Sequence, residues 1–93
     1  MDNSSLRGMF LTPVNPRTSE QGALGLQYIL WSDIAWAQPY RSGTFCGVLI
    51  LHQNGTFRCY RQSFTYLTRQ ALRVVGDQVR AGLPPMEAPW ISV

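Results

Sequence analysis

The chain has no lysine. All eight of its basic residues are arginine, so every fixed positive charge is a guanidinium, planar and able to fork onto a carboxylate or a phosphate. A codon bias towards arginine would give the same count without any functional cause. Charge of either sign is scarce, at 14% of residues where a quarter is usual. The five carboxylates, Asp2, Glu20, Asp33, Asp77 and Glu87, are scattered, and no two stand at a spacing that suits paired acid and base catalysis. One histidine and two cysteines fall short of a four-ligand zinc site with recognisable spacing. Gly22-x-x-Gly25 lacks the rest of a phosphate-cradling loop. The expectation is therefore no enzyme, no metal and no cofactor.

Long apolar runs are missing too. The longest purely aliphatic stretch, Val48 to Leu51, is far too short to span a bilayer. Residues 1–17 are polar and proline-punctuated, without the apolar stretch of a secretory signal. These absences point to a cytoplasmic protein outside the membrane. They also point to free thiols at Cys46 and Cys59, since disulfides are rare in reducing compartments.

What is present argues for a folded body. Apolar residues make up 45% and aromatics 12%, enough for one packed core in a single domain spanning residues 1–93. So small a body cannot cover every aromatic, which favours a partner or self-association.

Along the chain, residues 1–17 read as an N-terminal segment holding a short strand, Arg7 to Val14, closed by Pro13 and the Asn15-Pro16 turn signal. Pro13 confines that strand to an edge. From Thr18 to Gln38 two patterns compete. Thr18-x-x-Gln21 fits a capping box, and Ala23, Leu24, Tyr28, Trp31, Ile34 and Ala35 recur at helical spacing, with Pro39 as a stop. Against this, Gly22 and Gly25 each weaken a helix by about 1 kcal/mol, and Leu24, Leu26, Tyr28 and Leu30 alternate as a strand does. The length of the segment favours helix.

Residues 44–66 read as a β-hairpin around Asn54-Gly55, because a type I′ turn needs positive φ at both central residues. Its first strand, with the continuous run Phe45 to Leu51, is expected to be central. In that register Cys59 faces Leu49 or Ile50 while Cys46 faces the region of Gln62 and Ser63. An offset of about four residues, roughly 13 Å, is too far for a disulfide. Thr68 is expected to cap a helix running to about Ala81, with Gly82 as its stop. A proline-rich, extended tail follows over residues 83–93. The fold class is then α+β in the order β-α-β-β-α plus the tail, with helices on one face of a small antiparallel sheet.

The helix carries the functional expectation. Arg69, Arg73 and Arg80 lie within roughly 40° of one another at about 100° per residue, with Gly76 on the same line and Leu67, Ala71, Leu72, Val75 and Val79 assigned to the opposite, inner side. Arg58 and Arg61 on the preceding strand point to opposite faces, so at most one extends the same field. Asp77 is placed to pair with Arg73 or Arg80. Trp90 in the tail either folds back or adds to a partner's sheet. Phe57, Tyr60, Phe64 and Tyr66, read on a strand beside Arg58 and Arg61, could stack single-stranded bases, though alternate aromatics on a strand usually build a core. His52 sits at best diagonal to Cys59, with no Asn or Asp at hand to orient it, which argues against a catalytic dyad.

Two functions fit. The first is a small non-enzymatic protein-interaction module, of the accessory or inhibitor kind that phages and mobile elements encode. It would bind a protein with an acidic surface, or a second copy of itself as a homodimer. The second is a nucleic-acid-binding module that lays the arginine row on phosphates. The net charge of +3 is mild for that role.

Overall fold

The computed structural model describes residues 7–15, 20–21 and 25–92. The protein has an α+β fold built, among the described residues, from a three-stranded antiparallel sheet, two small two-stranded pairings and a 17-residue helix. In chain order the strands are β1 (Gly8–Leu11), β2 (Val14–Asn15), β3 (Glu20–Gln21), β4 (Gln27–Leu30), β5 (Ile34–Ser42), β6 (Phe45–His52) and β7 (Phe57–Tyr60), and the helix α1 is Phe64–Arg80. Short 3-10 turns occupy Trp31–Asp33 and Pro89–Ser92.

The helix expected between Thr18 and Gln38 does not form over the described part of that range. Gln21 stands in β3, and residues 27 to 42 run as strand, 3-10 turn and strand. The alternation of Tyr28 and Leu30 on one face with Ile29 on the other is the period that prevails, and Ile29 is the buried member. Pro39 is not a helix stop. It sits within β5 opposite Val48, and β5 is an edge strand of the sheet order β5-β6-β7, where a missing N–H leaves no ladder bond broken. The turn at Pro16, the capping Thr18 and residues 22–24 lie outside the described residues.

The hairpin forms with β6 at its centre, as the apolar run requires. Leu49 opposes Cys59, and Cys46 opposes Arg41 on β5, so the two thiols are not cross-strand partners. The connection differs from a two-residue turn. Bonds from His52 N to Thr56 O and from Gly55 N to His52 O, both 2.9 Å, enclose Gln53, Asn54 and Gly55 in a three-residue loop. Only Gly55 needs a left-handed φ there, and it has 88°. This is the next most common hairpin design, in which an αL residue follows the turn.

The second strand is shorter than its sequence pattern, ending at Tyr60. The helix starts at Phe64, four residues before the expected cap at Thr68. Ser63 is the actual cap, its Oγ accepting from Tyr66 N at 3.1 Å, which satisfies one of the open amides of the first turn. At the far end Gly82 takes φ 74°, and Leu83 N donates to Gln78 O at 2.9 Å, an αL stop of the expected kind.

The core gathers Leu11 and Ile29 from the N-terminal ribbon, Trp31 from the 3-10 turn, Ile34, Ala37, Val48, Ile50 and Tyr60 from the sheet, and Leu67, Ala71 and Val74 from α1. Trp90 completes it at 1% exposure. The tail therefore folds back, as a 3-10 turn against β5 and α1 rather than as an edge strand.

Candidate functional site

Four residues of α1 face the core: Leu67, Ala71, Val74 and Gln78. Their spacing of four, three and four keeps them within about 60° of helical arc. The inner line so defined differs from the expected one. Hydrophobicity alone places Leu72 and Val79 inward, yet they are 58% and 59% exposed. They lie about 120–140° round from Leu67 and within about 20° of each other. Gln78, polar, takes the inner place instead, because its Oε1 accepts from Met86 N at 2.8 Å and so anchors the returning tail.

Gly76 comes next round the helix from Leu72 and Val79, and beyond it stand Arg69, Arg80 and Arg73, all exposed. A side chain at Gly76 would meet nothing nearer than the Arg80 Nη2 atom, 3.9 Å away, so the strip is open. Arg80 donates to Asp77 Oδ1 at 2.9 Å, the i, i+3 pairing of the two that the sequence allowed. No other ion pair of an arginine occurs among the described residues, so Arg69 and Arg73 are left uncompensated. The outer face of α1 thus joins an apolar stripe to a guanidinium row.

The other expected site residues lie elsewhere. Arg58 stands on β7 opposite Ile50. Arg61 is not on the strand at all, but in the bend after it, where its amide donates to Thr12 O at 2.8 Å. Both side chains are exposed. Trp90 does not join them: its indole is buried beside Phe64, ring centroids 6.5 Å apart, where no partner can touch it. The four aromatics considered for base stacking share no face, since Tyr60 is buried and Phe64 and Tyr66 belong to the helix.

One polar cluster joins residues that no sequence motif connects. Asp33 Oδ2 lies 2.7 Å from His52 Nδ1, and His52 Nε2 lies 2.8 Å from the Tyr60 hydroxyl. With Asp33 ionised, its carboxylate accepts from Nδ1–H, and a neutral imidazole then accepts the Tyr60 O–H at Nε2. The row looks like a proton relay, but its terminal hydroxyl belongs to a tyrosine with 0% exposure. No substrate reaches it. Burial pushes the Tyr60 phenol up, the Arg58 charge opposes this and the Asp33 charge adds to it. The Cys59 thiol is likewise raised by burial, the wrong direction for a nucleophile, and His52 is turned towards Asp33 and Tyr60 rather than towards it. The row ties the 3-10 turn to the sheet.

Among the described residues no three of His, Cys, Asp and Glu come together as metal ligands, and no helix is long and apolar enough to cross a membrane. No family model, no curated protein and no solved structure matches this chain.

Proposed function

We propose that this chain is a small, non-enzymatic protein-interaction module whose outer helix face binds an acidic surface on a partner protein. The observation that carries this reading is the half-exposed Leu72 and Val79 beside the uncompensated Arg69 and Arg73. Apolar side chains flanked by arginine are the composition of an interface core and its rim. Arginine is also the side chain that grips a carboxylate at two points. A second copy of the chain fits poorly, because it would set one cationic row and a net charge of +3 against another. Nucleic acid fits less well than protein, since a phosphate backbone offers nothing to Leu72 and Val79. The buried hydroxyl of the Asp33–His52–Tyr60 row supports a role without catalysis.

The test is affinity capture from the native cells with the wild type, Leu72→Asp and Arg73→Glu, alongside anisotropy titration of a fluorescent DNA duplex. The expected result is a protein retained by the wild type, lost from both variants and released by salt, with no duplex bound. Duplex binding that survives Leu72→Asp, vanishes in Arg73→Glu and weakens with a log–log salt slope of about −0.9 per phosphate would replace this reading with the nucleic-acid one. Capture that is indifferent to both substitutions would remove the helix face from either.

A further inference from the structure

On the other side of α1, three large aromatic side chains stand half exposed around one recess. Phe10 on β1 and Tyr28 on β4 are cross-strand partners, their rings edge to face at 5.2 Å and 61°. Tyr66 approaches from the first turn of α1, and Trp31, buried, also lines the cavity. The volume is about 310 Å³, the lower end of the range for small-molecule sites. Gly8 keeps it open. A side chain there would run into the Ile29 carbonyl and come within 2.8 Å of the Tyr28 ring, pushing that ring off its place. An aromatic rim around a recess held open by a glycine is what a flat ring can enter.

The polar groups say which kind of ring. The Trp31 indole Nε1 is buried without a hydrogen-bond partner among the described residues, and an unmet buried donor costs about 1–3 kcal/mol. Gln70 also lines the cavity, offering an amide donor. Among the described residues no carboxylate lines it. A neighbouring recess shares Trp31 and is lined by Arg7, the arginine next to Gly8 in the chain. These donors and this charge call for an acceptor, and a negative one.

We propose that this cavity is a binding site for a flat aromatic carboxylate of one or two rings. The ring slots between Phe10, Tyr28 and Tyr66, and the carboxylate takes up the donors at Trp31 and Gln70, with Arg7 adding attraction. The indole N–H is closed to solvent, so binding requires the Trp31 ring to turn as the ligand enters. The site lies on the side of α1 away from Leu72 and Val79, and it stands or falls independently of the protein-binding reading.

The test is titration of the ¹⁵N-labelled full chain with 2-naphthoate, with the 2-naphthyl-trimethylammonium ion as the charge-reversed probe. The Trp31 indole signal is distinguished from those of Trp36 and Trp90 by its absence in Trp31→Phe. The expected result is a saturable shift with naphthoate, including a downfield move of the Trp31 indole proton. Tyr66→Ala, on the exposed rim and harmless to the core, should weaken binding about tenfold, equivalent to about 1.4 kcal/mol. Leu72→Asp should leave it unchanged. No saturable shift up to the solubility limit of the probe would overturn the proposal. So would shifts centred on Leu72 and Val79, tighter binding of the ammonium probe, or a Tyr66→Ala protein that binds as well as the wild type.

Discussion

The inner and outer faces of α1 each carry aliphatic residues, and they meet opposite fates. Leu67 and Ala71 are wholly buried, and Val74 nearly so, while Leu72 and Val79 stand more than half in water. The buried line even includes a glutamine. Hydrophobicity of the residue is not what separates the faces. Position on the cylinder is: only one arc meets β5 and the Pro89–Ser92 turn, and whatever occupies that arc is enclosed. A polar occupant is tolerated there when its groups are paired, as Gln78 is with Met86. An aliphatic residue off that arc gains little from the fold and is available to something else.

The most direct way to break this comparison is to truncate a leucine on each face. Leu67→Ala should destabilise the protein by about 2–5 kcal/mol, because it opens a cavity in a closed core. Leu72→Ala should change stability by no more than about 0.5 kcal/mol. Urea unfolding measures both, and equal losses would mean that the outer stripe is covered in solution.

Next in size is the polar contact buried on the sheet side. Tyr60→Phe should cost about 1–3 kcal/mol, since it leaves His52 Nε2 buried with no donor. Tyr60 and Cys59 also set an alkaline limit. Both have folded pKa values raised, chiefly by burial, from ordinary values of 10.0 and 9.0. Below about pH 8 both states keep these protons and stability is unaffected. Above it the unfolded chain releases protons that the folded one holds, so stability falls as pH rises. Melting temperature followed from pH 8 to 11 should show that fall, with a smaller slope in Tyr60→Phe.

Ser63→Ala tests the helix as a whole rather than one side of it, and should cost about 1 kcal/mol by exposing the Tyr66 amide. Smallest of all, Arg80→Ala removes a solvent-exposed ion pair on the outer face and should shift the melting curve by a few tenths of a kcal/mol at most. A larger loss would show that the Arg80–Asp77 pair organises the stripe beside it.

How legible was this in the sequence? The hairpin could be read because its signal is local: Asn54-Gly55 between two apolar runs. That turn left the partner of Cys59 open between Leu49 and Ile50, and the extra loop residue decides it for Leu49. The presence of α1 was visible in its periodicity and its end in Gly82. Its inner arc is not legible from composition, because Leu72, Val75 and Val79 are more apolar than Val74 and Gln78 taken together, and the phase of the helix rather than apolarity decides which arc is buried. The segment before Pro39 failed for a related reason. Trp31 to Asp33 turn the chain between two strands, and the summed spacing across that break imitates a helix. The Asp33–His52–Tyr60 row could not be read at all, since its first two members are 19 positions apart and meet only once the sheet is built.

One clasp described above governs the order in which the molecule can be assembled. Thr12 accepts from the Arg61 amide, and its own N–H donates to Gln62 Oε1 at 2.9 Å, while Gln62 Nε2 returns a bond to the Thr12 hydroxyl at 3.2 Å. The Thr12–Gln62 contacts join positions 50 apart, and closing so long a loop costs roughly 3–4 kcal/mol of chain entropy by (3/2)RT ln n. The hairpin closes over three residues and forms far more cheaply. In pulse-labelled refolding the Thr12 and Arg61 amides should therefore gain protection after those of β6. The aromatic recess, which takes Gly8 and Phe10 from the late-arriving strand, exists only when that last step is complete. Any molecule seated in it would hold the chain shut by mass action.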